Sequence, residues 1–535
     1  MKNIPENIKS TTEMVIQKIG NPVSNMVVLA TLESLGIRDK DVFEDYGFTS
    51  LNALAQHVYN DLKARDKATL KNEIELKNSK EKNTVTPVSS YLWMKTKLLI
   101  QFYPLGIFHL LPIFLQIASI IIFGYSLWAF IGFNIVQSTS VVFGVIIGLI
   151  VSGGYVQVLG RQGSFYWHHQ QYKKAKMVVN KLIKSGIKGL LVTFVLLTVI
   201  NFLFNFYPFS FVIITGVYAF LIGLLLLVSA PFHTIRQRWV ISVAVLLATA
   251  VALSLKLYTI LSVYLTHWIG ILVAILFSKV FLEYFFRRKK GSYTKQNLKP
   301  KKLMVIYKNY RYFFYGMLIY VFIFIDRLLA WSADIDLTNK FIFLYEKDYE
   351  IGMDIAILIF FMLAGVLEYA IASFSKFLDV KQKNTLLVHK KTFNKSLFRM
   401  YLGHISLLLF TAVGTTTFIY LLITQPWGYE ANFGETLDFI SIKVCIFGGI
   451  GYLFFTWGML NALYLFTLDS PKGPFRSILI ACAVNLVVGF ILSRTISYEY
   501  SVIGMVVGAA VFMILTLRDA IRFFKKLDYH YYAAY

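Results

Sequence analysis

About twelve long apolar stretches divide this chain, and the connections between them alternate between rich and poor in Lys and Arg. A stretch of about twenty apolar residues crosses the ~30 Å hydrocarbon layer as a helix. Basic connections stay on the cytoplasmic side during insertion, so the alternation both counts the crossings and orients them. After the second stretch come Arg161, Lys173, Lys174, Lys176, Lys181, Lys184 and Lys188, with no carboxylate among them. Arg287 to Lys302 follows the sixth and Lys376 to Arg399 the eighth; the connections in between carry almost no cations. The expectation is an all-α polytopic protein of the bacterial inner membrane, with both termini cytoplasmic.

A formal net charge of +24 would suggest nucleic acid in a soluble chain. Here 57% of residues are hydrophobic and the cations sit in short connections beside the spans. Topology and anionic lipid headgroups account for them there, so membrane lipids are the expected partner and nucleic acid is not. Cys445 and Cys482 both lie inside apolar stretches and read as small hydrophobes. No Walker-type phosphate loop, H-E-x-x-H or Cys/His cluster occurs, so no cofactor or metal is expected.

Spans are predicted at 104–131, 138–159, 187–207, 210–230, 239–256, 259–284, 312–333, 351–373, 401–424, 438–467, 476–494 and 500–517. They form two six-helix lobes, 91–286 and 312–517, joined by a basic cytoplasmic linker at 287–311. Six is even, so the lobes have the same orientation, as in a parallel repeat with the pathway between its halves. Loop lengths and hydropathy carry that repeat; residue identity does not. Residues 1–90 are different, with balanced charge and helical spacing of apolar residues in 26–37 and 51–62. A small helical cytoplasmic domain is expected, with Thr49 or Ser50 as an N-cap, Gly36 and Gly47 as punctuation, and a linker or frayed helix over 71–87. Residues 518–535 read as a basic amphipathic tail on the inner leaflet.

Ionisable groups inside spans each cost ~2.5–3.5 kcal/mol at a helix centre and therefore call for a reason. Asp326 and Arg327 share the seventh span and, as neighbours, project to different sides. Either one faces a wet cavity, or Arg327 snorkels to the outer interface beside Trp331. Glu368 lies near the cytoplasmic end of the eighth span with no cation within one turn, and Lys443 in the outer part of the tenth. Lys279 and Glu283 have the i, i+4 spacing of a pair. Gln116, Gln157, Asn201, Asn461 and Asn485 are either interhelical glue or the lining of a path. Catalytic residues are not expected: His109, His267 and His404 are isolated in separate spans.

The segments IDRLLAWSADID (325–336), YEKDYEIGMDIAIL (345–358) and LEYAIASFSKFLDVKQKN (367–384) resemble the PelG-like exopolysaccharide exporters. Those belong to the multidrug/oligosaccharidyl-lipid/polysaccharide flippase superfamily, whose fold is twelve spans in two lobes. The resemblance covers the chain from about residue 100 and is specific around 320–385. It implies export of a polysaccharide or lipid-linked glycan by alternating access, with a cytoplasmic glycosyltransferase as partner, in polysaccharide biosynthesis and biofilm formation. It matches Asp326, Arg327 and Trp331 to a family pattern, and Glu368 more loosely. Two other readings stay open at this point: a membrane-embedded glycan- or lipid-modifying transferase, and a non-transporting scaffold of a synthase complex.

Overall fold

The computed structural model describes residues 4–19, 25–77, 96–97, 99–104, 111–235, 237–288, 302–333, 341–377, 390–425 and 436–525. Among them it is helical throughout, apart from one isolated bridge between Tyr125 and Phe130. Among the described residues eleven helices are long and apolar enough to cross a membrane. The tip of the 426–435 loop, the tail 526–535, Asp334, Asp336 and His109 lie outside the described residues.

The N-terminal segment forms four helices, α1 (Ile4–Ile19), α2 (Asn25–Ser34), α3 (Asp39–Tyr46) and α4 (Leu51–Lys77). The periodic residues form its core: Val28, Leu32, Val42, Leu54 and Val58 are fully buried together. Ser50 caps α4, its Oγ accepting from the Ala53 N–H at 3.2 Å. Gly47 ends α3 in the left-handed conformation at φ 73°, a geometry that costs a glycine least. Helix α4 extends into the expected linker as far as Lys77.

Lobe 1 contains α5 (Leu111–Phe123), α6 (Ile135–His168), α7 (Tyr172–Phe204), α8 (Phe209–Ile235), α9 (Trp239–Tyr258) and α10 (Val263–Arg288). Lobe 2 contains α11 (Lys302–Trp331), α12 (Lys347–Phe377), α13 (Lys390–Thr424), α14 (Phe439–Thr467), α15 (Lys472–Thr495) and α16 (Ser501–Lys525). Two expectations need correcting. The first span does not run as a helix to 131. Helix α5 stops at Gly124 (φ 64°), and the chain turns inward to bury Tyr125 and Leu127 in the lobe. Gln116 holds that turn by accepting from the Leu127 N–H at 2.8 Å and donating to Thr249 on α9 at 2.7 Å. The basic stretch 161–188 is helix on either side of one short turn rather than loop, because Lys is a good helix former. Only His169 to Gln171 separate α6 from α7.

The repeat emerges in the packing. Helix pairs α6·α8, α8·α10, α9·α10, α5·α9 and α6·α7 of lobe 1 touch, as do α12·α14, α14·α16, α15·α16, α11·α15 and α12·α13 at the corresponding places of lobe 2. One detail is shared residue by residue. The Thr215 hydroxyl donates to the Ser140 carbonyl at 3.0 Å, and Gly144, one turn along α6, lets the α8 backbone approach. In lobe 2 Ser441 donates to the Asp348 carbonyl at 2.7 Å, and Gly352 plays the part of Gly144. A small residue with a hydroxyl partner is how helices approach closely where there is no hydrophobic driving force between them.

Candidate functional site

The lobes meet tightly along α6 and α11. Gly153 and Gly154 of α6 lie against Gly316, Phe313 and Tyr320 of α11, and a Cβ on Gly316 would sit 2.6 Å from the Gly153 carbonyl oxygen. Gln157 is at this crossing, its Cβ facing Gly316. The seam continues to the acidic end of the bundle, where the Tyr345 N–H donates to Thr139 at 3.0 Å and the Tyr207 hydroxyl donates to the Phe343 carbonyl at 2.9 Å. Burial pushes the Tyr207 hydroxyl up to about 12, so it stays a neutral donor there.

The other lobe-facing element, α12, turns one stripe toward lobe 1. Glu368 pairs with Arg238, Gly365 meets Tyr103, and Phe361 packs edge-on to Phe114 at 6.2 Å. These positions recur every three or four residues, as one helix face requires. Two turns beyond Phe361 the same stripe reaches Asp354, whose side chain is 66% exposed. The intervening residues of α12 are buried or half-buried, so Asp354 stands out as the exposed carboxylate of this stripe.

Arg327 of α11 reaches that carboxylate at 3.0 Å while its own side chain is only 5% exposed. The same guanidinium nitrogen is hydrogen-bonded to buried Glu350, whose other oxygen accepts from the Trp331 indole at 2.9 Å. Arg327 therefore does not snorkel: two carboxylates of α12 hold it inside the lobe, and a buried cation needs such partners. Asp326 reaches the same helix α12, accepting from the hydroxyl of buried Tyr349, the residue before Glu350, at 2.7 Å. Arg327 is thus a buried cation whose second partner, Asp354, is exposed on the α12 stripe that turns toward lobe 1.

The remaining residues singled out in the sequence lie elsewhere. Asn201 clamps its own turn, exchanging two 2.8 Å bonds with the Tyr207 backbone. Asn461 is buried within lobe 2, accepting from Tyr401 at 2.7 Å, and Asn485 donates to the Phe322 carbonyl at 3.1 Å. All three join helices or turns inside a lobe. Lys443 sits 3.7 Å over the Tyr500 ring and 3.5 Å from Glu499, again within lobe 2. Glu283 pairs with Arg287 at 3.3 Å rather than with Lys279. His267 and His404 are hydrogen-bonded to Tyr218 and Tyr464, inside separate lobes. The sequence singles out neither Asp354 nor Glu350, and the predicted eighth span, 351–373, begins just after Glu350. Their spacing, one helical turn apart with Glu350 one turn into α12, was the available signal.

With this geometry in place, the likeness to solved structures is informative. The chain superposes over 81% of its length on 96% of an outward-facing multidrug-resistance MATE family transporter of the MOP superfamily, with a TM-score of 0.54 and 14% identity. A MATE transporter in complex with MaD5 gives 0.55 at 13% identity, covering 81% of this chain and 97% of that one. A MOP superfamily transporter from Pyrococcus furiosus, described as having a binding pocket of reverse polarity, gives 0.54 at 14%, covering 81% and 96%. This chain has the MATE fold. No family model matches the sequence, and neither does any curated protein.

Proposed function

We propose that the protein is a transporter that moves its substrate through the space between the lobes by alternating access, with the Arg327–Asp354 pair on the wall of the pathway. The observation that carries this reading is Asp354: an exposed carboxylate at membrane depth, on the helix stripe that faces the other lobe, backed by a buried cation. Polar groups inside membranes that face a crevice are the usual mark of a substrate or ion path. The MATE fold supports the same reading, because the solved structures that share it are described as transporters.

The substrate we propose is an exopolysaccharide or lipid-linked oligosaccharide. The resemblance of residues 325–384 to PelG-like exporters supports it, and the aromatic content of 16% is compatible with sugar rings stacking along a path. The location we propose is the bacterial inner membrane with the basic end of the bundle in the cytoplasm, supported by the Lys and Arg at that end. A cytoplasmic glycosyltransferase would then deliver the polymer.

The test is export in cells lacking the native gene. Asp354→Asn should reach the membrane at the normal level and lower export at least tenfold. Normal export by Asp354→Asn would remove this pair from the pathway.

A further inference from the structure

Lobe 1 carries a single Asp or Glu, Glu283, and it pairs with Arg287 on its own helix. With Glu283 so engaged, an ion pair between the lobes takes its cation from lobe 1 and its anion from lobe 2, whichever helix each side uses. Among the described residues two such pairs exist, both at the basic end. Arg161 of α6 is 2.5 Å from Asp469, in the connection between α14 and α15. Arg238, in the connection between α8 and α9, is 3.2 Å from Glu368 of α12.

These two pairs are related by the repeat. Helices α6 and α12 correspond, and the Ser140 and Asp348 carbonyls, each holding a hydroxyl of the next-but-one helix, fix their register. Arg161 stands 21 residues beyond Ser140 and Glu368 stands 20 beyond Asp348, the same level of the helix within one residue. Their partners lie in corresponding connections, before α9 and before α15. The same contact is thus made twice with the charges exchanged: cation on the helix and anion on the loop in one, the reverse in the other. The first is reinforced by Tyr312 of α11, which receives Arg161 at 4.0 Å over its ring and donates to Asp469 at 2.7 Å.

We propose that these four residues, Arg161, Asp469, Arg238 and Glu368, form the gate that holds the basic end shut, and that both pairs part when the lobes rock about the Gly153–Gly316 crossing. Being only partly buried, with side chains 22% to 40% exposed, they can separate into water without stranding a charge in hydrocarbon. A hydrophobic seam would offer no such exchange.

This proposal rests on the alternating-access reading, but its test reads access and not transport. In a background with Cys445→Ala and Cys482→Ala, Leu358→Cys, on the lobe-facing stripe between Asp354 and Phe361, reports a membrane-impermeant thiol reagent added at the basic face. Arg238→Glu should raise the labelling rate at least tenfold, and Arg238→Glu with Glu368→Arg should bring it back to within twofold. Arg161→Glu, alone and with Asp469→Arg, should repeat the pattern. Labelling from the acidic face shows that each variant is folded. Unchanged labelling in the single reversals, or failure of both swaps to restore it, overturns the gate. Gated labelling in a protein that exports nothing would count against the transport reading and leave the gate standing.

Discussion

Arg327 lies between two carboxylates of α12 in opposite surroundings: Glu350, with a side chain 2% exposed, and Asp354 at 66%. The arginine is tied to the lobe interior by one and linked to the exposed surface by the other. Removing it has two separable consequences. Arg327→Ala leaves Glu350 buried without its cation, which costs about 3–5 kcal/mol. Its thermal unfolding in detergent should fall accordingly. Arg327→Met with Glu350→Gln removes both buried charges and should recover most of that stability, while export stays low because Asp354 has lost its partner. Recovery of both stability and export in the double variant would make the pair structural.

Asp354→Asn should behave in the opposite way. The side chain is largely exposed, so its amide costs no burial and the stability change stays within ~0.5 kcal/mol. Arg327 keeps Glu350. Unfolding curves that superpose on those of the unmodified protein, alongside impaired export, separate a pathway role from a folding one. A large loss of stability would mean that Asp354 is needed to hold Arg327 in place.

The lobe crossing gives a third test, one with an internal control. A methyl on Gly316 meets backbone at 2.6 Å, so α6 and α11 must move apart. Overpacking of this kind costs about 1–3 kcal/mol. On the same helix α6 a methyl at Gly160 meets nothing within 4 Å, and the lower entropy cost of Ala in a helix is worth about 0.5–1 kcal/mol. Gly316→Ala should therefore lower the unfolding temperature and Gly160→Ala raise or preserve it. Equal effects would mean that the crossing is not a tight contact.

Much of this architecture could be read from charge and hydropathy, because lipid forces helices of a known length and the loops declare their side. The repeat was legible as loop lengths, but not the Thr215–Ser140 and Ser441–Asp348 bonds behind it, since dissimilar residues use the same chemistry. Within the site, Asp326 and Arg327 stood out because each is costly alone in a span. Glu368 was judged by its own helix, and its partner Arg238 lies 130 residues away. Asn201, Asn461 and Asn485 look the same in sequence whether they line a path or clamp a turn. Which helices neighbour which decides that, and hydropathy holds no such information.

The N-terminal helices supply the last test. Their core is their own, with Val28, Leu32 and Leu54 fully buried among residues of α1 to α4. Ser50 donates no packing to it but satisfies the Ala53 N–H in the first turn of α4, and losing such a cap costs about 1 kcal/mol. Leu54→Ala, which opens a cavity, costs about 2–5 kcal/mol. In the full-length protein, hydrogen exchange over residues 25–62 should speed up about fivefold for Ser50→Ala and at least thirtyfold for Leu54→Ala, with exchange in α6 and α11 unchanged. Acceleration spreading into those helices would show that the N-terminal unit and the bundle unfold as one cooperative body.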